Sequence, residues 1–365
     1  MKKYDYLIVG AGLYGSVIAY ILQNCGYDVL VIDKRSHIGG NCYSYFDDYG
    51  IEIHKYGPHV FHTSNKKTWN FVNSITEFRS YFSKAMASYH GKLYNIPINL
   101  QTINDFFNLN MNPTEARKFI KSRQLKRKGN SIESWCISNI GVDLYCAFIQ
   151  GYTKKQWDCD PDKLPEDIIK RLEIRYNCDS NYHNDLYSGI PIAGWNNFFY
   201  KLLEDIPFIP LVDYNKNKDK LNGMADKIIY TGPIDEYFDY SEGELSWRSL
   251  EFDVQYYSTE DLQGIPVINY PSLTTPYTRS VEYKHFQPGL KTNKTAVVFE
   301  KSCQNSSKPY YPINLKKDKK ILLKYQELAK KEKNVFFGGR LAEYKYYNMD
   351  KIIEKVIDDV KIHCK

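Results

Sequence analysis

At 365 residues the chain is too long for one ordinary hydrophobic core and should divide into two or three lobes. Hydrophobic residues make up 43%, which excludes global disorder, and no run approaches the roughly 20 apolar residues of a membrane helix. The net charge of +6 comes from lysines spread along the chain, with clusters at Lys121 to Lys128 and Lys316 to Lys320. Such clusters read as solvated faces, not as the dense basic stripe of a nucleic-acid protein.

The first elements carry the strongest signal. Tyr4 to Val9 is an apolar run of strand formers, and Gly10-Ala11-Gly12-Leu13-Tyr14-Gly15 follows at once. A helix is predicted to about Cys25, a second strand from Tyr27 to Ile32, and Asp33 closes it. This is the dinucleotide-binding βαβ pattern, in which glycines admit a pyrophosphate to a helix N-terminus and the acid takes a ribose hydroxyl. Lys2-Lys3 before an apolar stretch could open a signal peptide. Against that stand Asp5, three glycines and the lack of an A-x-A-like cleavage site before Asp28. The eight cysteines form no C-x-x-C pair and no zinc spacing, so a reducing cytoplasm and no metal are expected. The load of 33 tyrosines and 5 tryptophans offers packing, and also stacking walls for bases and sugars.

Further along, His54 to His62 brings three histidines into nine residues. Read as one strand, it puts His54 and His62 on one face and His59 on the other, which disfavours a shared metal and leaves His54 structural. Gly57-Pro58 fixes a turn where main chain can lie against a planar ring. Ser88 to Tyr94 suggests a hairpin about Gly91, and Asn112-Pro113-Thr114-Glu115 and Ser131 to Ser134 open helices. Gly151-Tyr152-Thr153-Lys154-Lys155-Gln156-Trp157 follows a helix over Val142 to Ile149; its aromatics suit core packing and base stacking equally. Ala225 to Pro233 reads as a strand and turn, and Arg248 to Tyr257 and Gly264 to Tyr270 as strands of a sheet. Val335 to Arg340 and the amphipathic helix Met349 to Ile362 should rejoin the first lobe. Arg171 and Arg279, each beside a loop, suit a diphosphate through bidentate, charge-assisted bonds.

These motifs, with His37-Ile38-Gly39-Gly40-Asn41, Asn95-Ile96-Pro97-Ile98-Asn99, Pro276-Tyr277-Thr278-Arg279, Tyr310-Tyr311-Pro312 and Gly339-Arg340-Leu341, occur together in this order. The chain resembles the bacterial UDP-galactopyranose mutases from end to end. The resemblance implies an α/β (α+β) fold with a discontinuous Rossmann-like FAD-binding domain over 1–80, 206–245 and 321–365. A helical domain with a mobile substrate lid would occupy 100–185. An antiparallel sheet domain would take 81–99, 186–205 and 246–320.

The implied activity is a non-redox isomerisation of UDP-galactopyranose to UDP-galactofuranose for polysaccharide biosynthesis. N5 of reduced FAD would attack the anomeric carbon, so no nucleophile is needed from the protein. A homodimer and an unidentified electron donor for the flavin are also implied. Gly10, Gly12, Leu13, Tyr14, Gly15, Asp33 and Lys34 would hold the ADP half. Gly39, Gly40, Asn41, Gly232, Arg340, Tyr347, Asn348 and Met349 would line the rest of the cofactor, and Tyr56 with the segment Gly57, Pro58, His59 to His62 would border its ring. Tyr152 and Trp157 would enclose the uracil, with Phe148, Thr153 and Asn269 around the uridine. Tyr182, Tyr311 and Tyr346 would donate to the diphosphate. Arg171 on the lid, Arg279 opposite and His59 form the implied catalytic set. The family usually has asparagine where this chain has Ser83 and aspartate where it has Asn348. Those departures leave a UDP-N-acetylhexose, a 6-deoxyhexose or a dTDP-sugar open as substrate.

Overall fold

Every other residue of β1 (Tyr4–Val9) faces the same way, Tyr6 and Ile8 to one side and Leu7 and Val9 to the other, and both sides are buried. That is the mark of a central strand in a sheet covered on both faces. The computed structural model describes residues 3–170, 174–304 and 308–363. α1 (Leu13–Asn24) leads to β2 (Val29–Ile32), which lies parallel to β1 with Tyr6 opposite Val29 and Val9 opposite Ile32. β3 (Ser44–Phe46) and β4 (Glu52–His54) pair antiparallel, and β5 (Phe61–Thr63), α2 (Lys66–Ile75) and β6 (Phe78–Ser80) follow. The three histidines therefore do not share a strand. Gly57, at φ 95°, turns the chain between β4 and β5 and breaks the alternation the sequence suggests.

β7 (Ala85–Tyr89) and β8 (Lys92–Ile96) make the expected hairpin about Gly91, and α3 (Leu100–Phe107) and α4 (Pro113–Arg123) begin the helical lobe. Asn112 accepts the N–H groups of Thr114 and Glu115, and Glu115 accepts that of Asn112, a complete capping box. α5 (Ile132–Asn139) is capped by Ser131. α6 (Val142–Leu144) then widens into a π-helical turn over Tyr145–Gln150 and continues as α7 (Gly151–Trp157). The Gly-Tyr-Thr motif is thus helical, not a segment after the helix. Gly151 is there for close approach: a Cβ on it would lie 2.2 Å from the Pro271 carbonyl oxygen.

β9 (Tyr187–Pro191) lies between β5 and β6, and α8 (Gly194–Leu202) buries Phe198, Phe199 and Leu202 against α1. The segment 186–205 is therefore shared: α8 packs with the first lobe, whereas Ile190 of β9 is buried with Val267, Val281 and Val298 of the antiparallel sheet. β10 (Phe208–Ile209), α9 (Lys218–Asn222), β11 (Ala225–Tyr230) and α10 (Ile234–Tyr237) return the chain to the nucleotide lobe. The strands β12 (Trp247–Tyr257), β13 (Val267–Asn269), β14 (Arg279–Glu282), β15 (Thr295–Cys303) and β16 (Tyr311–Pro312) come next. α11 (Lys316–Ala329), β17 (Val335–Phe337) and α12 (Met349–His363) end the described chain.

Two sheets organise the molecule. The first, β10-β2-β1-β11-β17, is parallel throughout, with Val17 and Ile18 of α1 and Ile353 and Val356 of α12 buried against one face. The second runs β16-β12-β15-β14-β13-β7-β8. It is antiparallel apart from β7 and β13, which are parallel, because the β7–β8 hairpin enters from a distant part of the chain. Ala87, Tyr94 and Ile96 of that hairpin join Ile103, Ile137, Leu144 and Phe148 in the core of the helical lobe. The sites below lie where the sheets and the helical lobe meet. Among the described residues no helix is long and apolar enough to cross a membrane.

Candidate functional site

A cleft at the C-terminal ends of β1, β2 and β11 is lined by Gly10, Gly12, Leu13, Tyr14, Gly15, Asp33, Lys34, Gly39, Gly40 and Asn41. Gly232, Arg340, Tyr347 and Met349 also line it. No side chain caps α1 at Gly12, and its first turn holds no acid, which suits a bound anion. The glycines are there because backbone meets backbone. A Cβ on Gly40 (φ 54°) would lie 2.8 Å from Gly12 Cα, and one on Gly15 would lie 1.9 Å from the Gly10 carbonyl oxygen. Asp33 accepts the Ala11 N–H at 2.8 Å and the Arg35 N–H at 2.7 Å. It therefore ties the glycine loop to β2, and its remaining lone pairs still face the cleft. Side chains are absent where a pyrophosphate must approach and an acceptor stands where a ribose would end, so these residues fit a dinucleotide.

His59, Arg340 and Met349 form the wall shared with a central cavity, which adds Tyr56, Gly57, Pro58, His62, Ser83, Ala85, Tyr182, His183, Val267, Asn269 and Asn348. The Tyr182 N–H donates to the Ser83 carbonyl at 2.7 Å, which seats these two candidates side by side. His59 Nδ1 lies 2.7 Å from the Gly57 carbonyl oxygen, so it carries the proton and leaves Nε2 as an acceptor. Burial pushes the His59 imidazole down to about 4, the Gly57 bond opposing and Arg340 and Arg279 adding, so the ring is neutral at physiological pH. His54 is buried and also held neutral, well below the ordinary range, and its Nδ1 accepts the His59 N–H at 2.9 Å. It is a structural residue that anchors the turn.

A third cavity shares Tyr182, Asn269, Arg279, Tyr311 and Tyr346 with the central one and adds Phe148, Tyr152, Thr153, Trp157, Ile149 and Ile168. Trp157 and Tyr311 have ring centroids 6.3 Å apart, and Tyr311 and Tyr346 5.7 Å apart, making an aromatic wall. The Arg340 guanidinium lies 5.1 Å from the Tyr346 ring centre and donates to the Tyr347 carbonyl at 2.7 Å. Lys155, from the same motif as Tyr152 and Trp157, points elsewhere. Its ammonium donates to the carbonyls of Tyr270 (2.6 Å), Thr275 (3.0 Å) and Tyr277 (2.7 Å), and burial lowers it to about 8. The motif thus divides its work: Gly151 and Lys155 dock α7 on the 270–277 loop, and Tyr152 and Trp157 line the cavity.

Arg279 stands on β14 with Asn269 opposite it on β13 and Glu300 opposite it on β15. Its Nε donates to Glu300 Oε2 at 2.7 Å. Burial opposes the guanidinium's charge, but Glu300, Tyr152 and Tyr311 together outweigh it and keep the group protonated. Burial raises the Glu300 carboxyl, Arg279 lowering it only in part, and Oε1 has no hydrogen-bond partner. Sequence reading missed Glu300, because only the β14–β15 register brings it to Arg279. It also missed His183 and Asp185. Arg171 lies outside the described residues; every other expected site residue lines one of the three adjacent cavities.

Comparisons with known proteins agree with this geometry. Residues 147–346 match the family model described as UDP-galactopyranose mutase, and residues 8–75 match an NAD(P)-binding Rossmann-like domain. A dTDP-fucopyranose mutase of Escherichia coli is 38% identical, covering 98% of this chain and 98% of its own. A probable UDP-galactopyranose mutase of Klebsiella pneumoniae is 38% identical, over 98% of this chain and 94% of its own. The crystal structure of a reduced UDP-galactopyranose mutase shares the fold, with a TM-score of 0.78 at 14% identity over 100% of this chain and 95% of that one. A putrescine oxidase is also similar in fold, with a TM-score of 0.58 at 12% identity over 99% of both chains. The match over residues 8–75 agrees with the Rossmann-like cleft built on β1, α1 and β2. The chain belongs to the UDP-galactopyranose mutase family, a family of isomerases.

Proposed function

We propose that this protein is a flavin-dependent nucleotide-sugar mutase that interconverts the pyranose and furanose forms of a UDP-hexose, UDP-galactose in the first instance. The observation that carries the reading is the adjacency of the three cavities. The dinucleotide cleft shares His59, Arg340 and Met349 with a central chamber, and that chamber shares Tyr182, Asn269, Arg279, Tyr311 and Tyr346 with an aromatic pocket. FAD would lie in the first, the hexose in the second and the nucleoside in the third. FAD in its reduced form would supply a nucleophile, N5, for the anomeric carbon with no net redox change.

The protein's own groups do the rest. Gly57 and Pro58 bring main chain to the flavin ring, and neutral His59 offers an acceptor beside it. Tyr152 and Trp157 hold the base. Tyr182, Tyr311 and Tyr346 donate to the diphosphate. Arg279 neutralises the charge that grows as the nucleoside diphosphate departs, which favours the transition state over the ground state. A role in cell-surface polysaccharide synthesis, a cytoplasmic setting, a homodimer and a separate electron donor complete the proposal.

A second substrate reading has its own support. Ser83 and Asn348 line the central cavity, and the Escherichia coli relative is named a dTDP-fucopyranose mutase. The test is a product assay by NMR or chromatography with dithionite-reduced protein across UDP-galactose, UDP-N-acetylgalactosamine and dTDP-6-deoxyhexoses. Furanose product from at least one supports the proposal and names the sugar. No furanose from any, with hydrogen peroxide formed from a small amine, would move the protein to the flavin oxidases.

A further inference from the structure

We propose that His62, held by Asp185 and His183, reads a hydroxyl of the hexose in the central cavity by accepting a hydrogen bond from it at Nε2. The inference rests on the mutase reading and adds a specificity-determining group to it. His62 lies on β5 opposite Ser188 of β9, and this pairing brings the segment before β9 alongside it. His62 Nδ1 is 2.6 Å from Asp185 Oδ2, and Ser64 Oγ donates to Asp185 Oδ1 at 2.9 Å. His183 stacks on His62 with centroids 3.6 Å apart and an interplanar angle of 12°, and meets Tyr182 edge-on at 4.9 Å. Both imidazoles line the central cavity with Ser83 and Tyr182.

The chemistry follows from the tautomer. A carboxylate accepts only, so Nδ1 must carry a proton, and in the neutral ring the lone pair then resides on Nε2. The His62 side chain is 11% exposed and Asp185 28%, so the pair is largely shielded from bulk water. Stacking on His183 fixes the plane of the ring and so the direction of that lone pair. A shared metal fits less well. The ligand atoms of His62, His183 and Asp185 fall within 4.8 Å of one another, but parallel stacked rings send their in-plane lone pairs side by side, not to one point. What remains is a preset acceptor in the central chamber, and a hexose supplies hydroxyl donors.

The experiment compares wild type with His62→Phe, which keeps a stacking ring and removes both nitrogens, His62→Gln, which restores an amide acceptor, and Asp185→Ala. Each is measured with UDP-galactose, its singly deoxygenated analogues and UDP alone. In wild type one deoxy analogue should lose roughly 10-fold or more in kcat/KM. His62→Phe should abolish that discrimination and raise KM for UDP-galactose by a similar factor, with UDP affinity within twofold of wild type. Asp185→Ala should weaken the discrimination, and His62→Gln should recover part of it. Unchanged discrimination in His62→Phe overturns the proposal, as does an equal loss of UDP and UDP-galactose affinity. If His62→Phe fails to fold, Asp185→Ala decides by the same two readouts. Wild type that turns over no nucleotide sugar and binds UDP-galactose no differently from UDP would overturn the mutase reading itself.

Discussion

Replacing Arg279 with alanine should have two separable effects, one on the fold and one on the reaction. Glu300 has a side chain only 2% exposed, its Oε2 holds Arg279 Nε at 2.7 Å, and its Oε1 has no partner. Removing the guanidinium strands that carboxylate, at a cost of about 3–5 kcal/mol for a broken buried pair. Proton uptake by Glu300 caps the cost, since burial has already raised the carboxyl. The folded state then binds more protons than the unfolded chain, so the stability of Arg279→Ala falls as pH rises. The deficit relative to wild type should be larger at pH 8 than at pH 5.5. The loss of a charged donor to the diphosphate should separately remove about 2–5 kcal/mol of transition-state stabilisation. Adding Glu300→Gln to Arg279→Ala should restore most of the stability and none of the rate. Denaturant melts at the two pH values, with kcat/KM on the reduced protein, make the measurement. A kcat/KM within threefold of wild type, or a double variant as unstable as Arg279→Ala, would refute this account of the pair.

Trp157→Ala should weaken UDP binding by about 1–3 kcal/mol, by the measure of base stacking on aromatics; unchanged affinity by calorimetry would return Trp157 to a packing role. Gly40→Ala combines a positive φ of 54° with a contact of 2.8 Å to Gly12 Cα, so strain of about 1–3 kcal/mol should appear as lost flavin, read from the visible absorbance per protein. His54 and His59 are held neutral in the fold, whereas in the unfolded chain they take up protons near the ordinary value of about 6.5. The unfolded state then binds more protons, and stability should drop as pH falls from about 6.5 toward about 4. A flat stability profile across that window would contradict their burial as neutral groups.

The nucleotide lobe was legible because its signals are local. Gly10 to Asp33 states strand, turn, helix, strand and acid within a few turns of chain, and Asn112 to Glu115 and Ser131 to Ser134 state helix starts within four residues. Tyr152 and Trp157 were legible as cavity aromatics only through the resemblance, since spacing alone suited the core equally. What stayed hidden depends on contacts across the chain. Lys155 reaches carbonyls more than a hundred residues away, and Gly151 looked like a helix end because the Pro271 carbonyl that needs the space is equally distant. The alternation over His54 to His62 misled because Gly57 reverses the chain between two sheets. Glu300, His183 and Asp185 entered the site through strand register, which hydrophobic pattern does not encode at this range.

The central claim is that a redox cofactor works here without net electron transfer. Its most direct test is to reduce the flavin once, stoichiometrically and without oxygen, then add nucleotide sugar and count product per flavin. The account predicts many furanose molecules per flavin, with the flavin still reduced at the end. One product per flavin with the flavin reoxidised would contradict it.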